Sequence, residues 1–236
     1  MSDKVPEFPS EERLGERATK HATGLASVAG DVVFPGLGYA MQLVFGKVIG
    51  DPLAKRQQQW FEAVGLGIRE LQDRFEGFDP ASLADNEDFA TAVYETTQAA
   101  MKTRLDEKRE ALRNVVLNVA IGQTLDDLLQ GRFMSLLDDF SAAHLLVLRV
   151  VDAPQSFPRV VEAARSVYMG SASSVMAAEF TNAGLSDATI EIVLRDLERE
   201  QMVHGGLKSM GTKDSLLNSR STEVGKAFLK FISSPI

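Results

Sequence analysis

The chain is 236 residues long, with 25 Lys+Arg against 33 Asp+Glu for a net charge of -8, a hydrophobic fraction of 44% and no cysteine. The apolar fraction supports a packed core and excludes wholesale disorder. The missing cysteines exclude a disulfide scaffold, cysteine-ligated zinc, iron–sulfur clusters and thiol catalysis, and they fit a reducing compartment.

Residues 1–10 carry Pro6 and Pro9 with mixed charge. They lack the basic-then-apolar order of a secretory signal and read as a mobile arm. A short helix is expected from Ser10, a candidate N-cap whose capping-box position holds Arg13 instead of an acid. The stretch from Thr23 to Gly50 stands apart, because its only formal charges are Asp31 and Lys47. Six of the 18 glycines fall there (Gly24, Gly30, Gly36, Gly38, Gly46, Gly50), and Pro35-Gly36 breaks it near the middle. Neither half reaches the ~20 apolar residues that cross a bilayer. Ala22, Ala26, Ala29 and Gly30 would let two helices approach closely. Three readings stand: a buried helical hairpin, a segment that meets membrane, or a glycine-lined ligand pocket. Phe34, Leu37, Tyr39, Leu43 and Phe45 are the candidate membrane or partner contacts, expected to be covered in the resting state because an exposed apolar hairpin invites aggregation. Gly36-Leu37-Gly38 lacks the third glycine and the preceding strand of a nucleotide fingerprint.

Pro52 is expected to open a long helix behind Asp51. Phe61, Val64, Ile68, Leu71, Phe75 and Phe78 recur along it at alternating spacings of three and four, the seam of a helix packed lengthwise. Gly77 to Pro80 ends it, and Asp85 or Asn86 caps the next helix, which bears Phe89, Val93, Ala100 and Met101. Arg104 to Arg113 is dense in charges of both signs and reads as a solvated continuation. Val115 to Ile121 is an apolar run too short for a membrane span, expected to be the central core helix. Leu125, Leu128, Leu129, Phe133, Leu136 and Leu137 extend the helical period to Phe140. Residues 11–140 therefore read as a helical bundle.

From Ser141 to Ile236 the elements change. Ser141 caps a helix through Val151, a Pro-containing break follows, and a further helix runs to Met169. Gly170–Ser174 reads as a loop, Val175–Thr181 as a short helix, and Ser186 caps a helix over Asp187–Gln201. Val203–Ser219 is punctuated by Gly205, Gly206 and Gly211, and Thr222 caps a last helix bearing Val224, Phe228 and Ile232. This order resembles a winged-helix domain. The resemblance rests on Leu197-Glu198 before the apolar pair Met202-Val203, on a wing of hairpin length, and on the Thr222-x-x-Gly225 motif that opens the last helix. The expected fold is thus all-α, with an N-terminal bundle carrying the apolar hairpin and a winged-helix-like end with at most a small β-wing. The winged-helix resemblance implies DNA contact through Lys208, Lys213 and Arg220 on the wing. Charge argues otherwise. Residues 1–140 hold 15 Lys+Arg against 23 Asp+Glu, a net of -8, and residues 141–236 hold 10 of each. The helix matching the recognition helix is acidic, with Asp187, Glu191, Asp196, Glu198 and Glu200 against Arg195 and Arg199, and phosphates would repel it.

No catalytic constellation emerges. His21, His144 and His204 are far apart and none has a two-ligand helical spacing. Asp126-Asp127 and Asp138-Asp139 are adjacent pairs, which face different ways on a helix. No nucleophile elbow and no phosphate-binding loop is present. No catalytic residue, metal or cofactor is therefore expected. The architecture as a whole loosely resembles bacterial helical proteins attached to phage-defence and abortive-infection systems. The expected function is a non-catalytic interaction protein, cytoplasmic or peripheral at a membrane, whose partner is another protein, a second copy of itself or membrane lipid. The alternatives are a winged-helix transcriptional regulator and a helical lipid or small-molecule sensor with a pocket near Trp60, Phe61 and Tyr94.

Overall fold

A computed structural model describes residues 51–123 and 125–236, with the side chains of Asp51, Pro52, Lys213 and Asp214 outside that description. The N-terminal arm, the glycine-rich segment 23–50 and its contact candidates Phe34, Leu37, Tyr39, Leu43 and Phe45 lie outside the described residues. Over the described residues the fold is all-α with one small two-stranded sheet. Among the described residues, no helix is long and apolar enough to cross a membrane.

The chain divides into two compact units, Met1–Tyr94 and Glu95–Ile236. The described part of the first begins with α1, Asp51–Arg74. Trp60, Val64, Ile68 and Leu71 form its buried stripe. The expected seam stops short, because α1 ends at Arg74 and Phe75 is exposed. Gly77 takes a left-handed φ of 84° and turns the chain into a 3-10 turn, Pro80–Asp85. Asn86 then caps α2, Glu87–Lys102, accepting from Phe89 N–H at 2.9 Å.

The second unit holds the end of α2, α3 (Asp106–Ala120), α4 (Asp127–Asp139), α5 (Ala142–Asp152) and α6 (Pro158–Ser166). Strand β1 (Met169–Ser171) follows, then α7 (Ala172–Asn182) and α8 (Asp187–Arg199). Strand β2 (Met210–Thr212), the single turn α9 (Lys213–Leu216) and α10 (Glu223–Ile232) complete it. Where a continuous helix was expected, residues 103–105 separate α2 from α3. Thr103 Oγ1 there accepts from Leu105 N–H at 3.2 Å, a local bond that competes with the helix. Helix α3 is buried from Asn114 to Ala120, as its apolar run requires.

Helix α10 packs on α3 and α5, and α8 packs on α5. Phe133 of α4 meets Phe228 edge-on at 5.3 Å and Phe231 at 5.7 Å. Asn118 Nδ2 faces the carbonyls of Phe231 (2.8 Å), Ser233 (2.9 Å) and Lys230 (3.3 Å), and Asn114 Nδ2 donates to Ile232 O at 3.1 Å. Two asparagines one turn apart on α3 thus satisfy the carbonyl groups that end α10. These bonds join α3 to α10 across the compositional change at Phe140, which falls inside the second unit. That unit holds 16 Lys+Arg against 18 Asp+Glu, a net of -2, so it too lacks a basic excess.

The wing departs from a plain hairpin. Val203 and Ser221 form an antiparallel bridge, flanked by His204 N–H to Arg220 O at 2.7 Å and Thr222 N–H to Met202 O at 3.0 Å. Between these ends the chain travels out to lay β2 against β1 and then makes α9. The stretch expected as a loop at Gly170–Ser174 is therefore strand β1 and the start of α7. Its pairing is antiparallel, with Met169 opposite Thr212, Gly170 opposite Gly211 and Ser171 opposite Met210.

Candidate functional site

Helix α8 is placed by two ends of different chemistry. Ser186 caps its start, accepting from Thr189 N–H at 3.2 Å. At its finish, Met202 N–H reaches Leu197 O at 2.8 Å and Gln201 N–H reaches Glu198 O at 3.0 Å, a Schellman closure. Gln201 fills the left-handed position, φ 59°, that glycine usually takes. Arg132 of α4 donates to Glu200 O at 2.9 Å and completes the end of the helix. Ile190, Val193, Leu194 and Leu197 are buried, so the opposite stripe of Ala188, Glu191, Ile192, Arg195, Glu198 and Arg199 faces outward.

The cations on this face are engaged. Lys208 Nζ lies 3.2 Å from Glu191 Oε1, tying the chain that leads into β2 to α8. Arg195 lies 4.0 Å from the same carboxylate, and Arg199 lies 3.0 Å from Asp196 and 3.1 Å from Glu200. The Arg199 guanidinium is accordingly held above its ordinary value by the Glu200 hydrogen bond and the Asp196 charge. Arg220, expected on the wing, is half-buried, and its guanidinium points to Ser215 O at 3.5 Å. Its backbone N–H donates to Val151 O at 3.1 Å, and Ser219 and Ser221 donate to the Asp152 carboxylate. Arg220 therefore belongs to the clip between α5 and the return strand. The Lys213 side chain lies outside the described residues. Of the wing contacts expected from sequence, only Lys208 is described as exposed, and its charge is already paired.

The small sheet has two unlike faces. Gly170 and Gly211 pair at its centre, and a Cβ on Gly211 would overlap Ser215 Oγ. Ser174 Oγ donates to Ser171 O at 2.7 Å and Ser215 Oγ to Thr212 O at 2.8 Å, so each strand passes into its helix in the same way. The pattern Met-Gly-Ser/Thr-x-x-Ser occurs at Met169–Ser174 and again at Met210–Ser215, and the strand pairing relates the two copies by a local pseudo-two-fold. Met169 and Met210 lie on the other face, 55% and 68% exposed, next to Tyr168 at 90%. With Ile192 at 56%, the wing and α8 leave large apolar groups in water beside paired charges. Exposed methionines adapt to irregular partner surfaces. The repeated motif was present in the sequence as a signal for these strands.

Of the groups that could carry chemistry, His144 meets Ser141 and Asp196, with Ser141 Oγ 2.8 Å from its Nδ1. His144 closes the first turn of α5, accepting at Nδ1 from Ser141 N–H at 3.2 Å. Its Nε2 faces Asp196 Oδ2 at 3.3 Å, and its ring stacks on Phe140 at 4.8 Å. Asp126 caps α4, accepting from Leu129 N–H at 2.9 Å, and Asp138 pairs with Lys102 at 2.9 Å. His204 borders an open depression with Glu198, Gln201 and Glu223. The Glu223 carboxyl is held below its ordinary range by the 2.8 Å hydrogen bond from Lys226. Among the described residues, no group of three potential metal ligands gathers. Trp60 is buried and Tyr94 is half exposed in the first unit. Comparison with protein-family models, with curated proteins and with solved structures gives no match.

Proposed function

We propose that this chain is a non-catalytic interaction protein whose winged-helix-like end contacts protein instead of DNA. One observation carries the reading. Across α8 and the approach to β2, Arg195, Arg199 and Lys208 each face a carboxylate, while Tyr168, Met169, Ile192 and Met210 stand uncovered. A DNA reader needs the reverse, with cations free to displace counterions from phosphate. Protein interfaces, in contrast, use aromatic and methionine anchors within a charged rim. The acidic charges of α8 supply that rim, and the methionine pair supplies the anchors.

A titration of labelled duplex DNA by fluorescence anisotropy at low salt tests the choice. No saturable rise is expected from the full chain, and Lys208→Glu is expected to give the same flat curve. Binding that falls steeply with added salt, and that Lys208→Glu abolishes, would instead assign the wing to DNA.

A further inference from the structure

We propose that the outward stripe of α8 docks antiparallel on the same stripe of a second copy of this chain, about a two-fold axis at the helix centre near Val193. The inference deepens the protein-contact reading and rests on it. Its basis is the order of charge along the exposed face. Asp187, Glu191, Arg195 and Arg199 follow one another at four-residue intervals, and all four are exposed. Reversing the helix about residue 193 lays residue 187 on 199 and residue 191 on 195. Each acid then meets a base in both directions. That is the self-complementarity an isologous two-fold contact requires, since one surface must match its own inverse.

The alternatives fit this stripe less well. Its charges are mixed, with Asp187, Glu191 and Glu198 against Arg195 and Arg199, so it suits neither a polyanion nor a strongly basic partner. Ile192 lies at the middle of the stripe and is 56% exposed, which places an apolar contact at the axis, against the methylene stem of Arg195 from the second copy. Arg195 lies 4.0 Å from Glu191, Glu191 also meets Lys208 at 3.2 Å, and Arg199 meets Asp196 and Glu200, so docking shares or exchanges these exposed pairs. Exposed pairs of that kind contribute little, so little is lost in exchanging them, and the intermolecular pairs chiefly fix the register of the contact. Antiparallel helices also set their dipoles head to tail, with Asp187 near one start and Arg199 near the other end.

Sedimentation velocity of the full chain tests this with charge reversals. The wild type is expected to show a concentration-dependent monomer–dimer equilibrium. Glu191→Arg alone and Arg195→Glu alone each place like charges opposite one another twice, and each is expected to weaken the dimer by about tenfold or more. Mixing the two variants restores opposite charges at both contacts and is expected to return a heterodimer. The double variant Glu191→Arg/Arg195→Glu is expected to pair with itself. A reversal that acted only by repelling Lys208 would not be rescued by mixing. A wild type that stays monomeric at its highest soluble concentration, single variants that dimerise like the wild type, or a mixture that fails to recover dimer would each overturn the proposal. A monomeric wild type that still cross-links another protein from this face would overturn the second copy as partner while leaving the protein-contact reading in place.

Discussion

Gly225→Ala is expected to destabilise the second unit by about 3 kcal/mol, whereas Gly131→Ala is expected to stabilise it by about 1 kcal/mol. The substitution is the same and both glycines lie in helices, so the difference isolates what surrounds them. A Cβ on Gly225 would overlap the carbonyl oxygen of Met202, a backbone atom with no rotamer to escape into. That oxygen is also fixed, because it accepts from Thr222 N–H at 3.0 Å. Thr222 Oγ1 in turn donates to Gln201 O and accepts from Gly225 N–H at 3.0 Å. Moving α10 outward would break this clamp and uncover Met202 and Val203, which are 0% and 4% exposed. Gly131 is an exposed interior position of α4 with nothing within 4 Å of its would-be Cβ, so alanine there brings only its higher helix propensity. Urea midpoints of the two variants against the wild type measure both signs. Equal effects would show that the close contact of Gly225 with Met202 does not constrain the fold.

Asn118→Asp is expected to cost about 3 kcal/mol or more, with Asn118→Leu comparable and Asn114→Leu smaller. Asn118 is 2% exposed, and its amide supplies two N–H groups to the carbonyls of Lys230, Phe231 and Ser233. Aspartate keeps the shape and removes both donors, setting a carboxylate against carbonyl oxygens in a buried site. Leucine keeps the volume and leaves the same carbonyls unpaired. Asn114 makes one such bond, to Ile232 O, and its own Oδ1 has no hydrogen-bond partner among the described residues, so less is lost there. Thermal melts of the three variants rank the effects. A ranking with Asn114→Leu most damaging would contradict the assignment of Asn118 as the main closure of α10.

Much of the helical order was legible because helix starts are local. Asn86, Ser141, Ser186 and Thr222 each cap the helix expected after them, and each is a short side chain placed before an apolar run, whereas Asp126, read only as one of a carboxylate pair, caps α4. The Thr222-x-x-Gly225 motif was legible too, and its physical content is the close approach of α10 to Met202. What escaped is non-local. Strand β1 is three residues long and pairs with a strand some 40 positions away, so no window around Gly170 reveals it. Arg220 reads as a wing cation until the structure turns its guanidinium onto Ser215 O and anchors its backbone to α5. Leu128 keeps the helical period yet is 79% exposed, because α4 is buried chiefly through Phe133, Leu136 and Leu137. Asn114 precedes the apolar run and Asn118 lies inside it, and their one-turn spacing on a buried face was the signal available for a shared polar role. The change in charge at Phe140 marks composition, whereas the compact unit begins at Glu95.

Photocross-linking in the native cell tests the central claim most directly. A benzophenone amino acid replacing Ile192 or Met210 in the full chain is expected to yield discrete protein adducts on irradiation, either a second copy of the chain or another polypeptide. The same group at exposed Gln155, in the turn between α5 and α6, is expected to yield none. Adducts to nucleic acid alone, or adducts no more frequent from Ile192 and Met210 than from Gln155, would contradict a protein-contact surface on α8 and the wing.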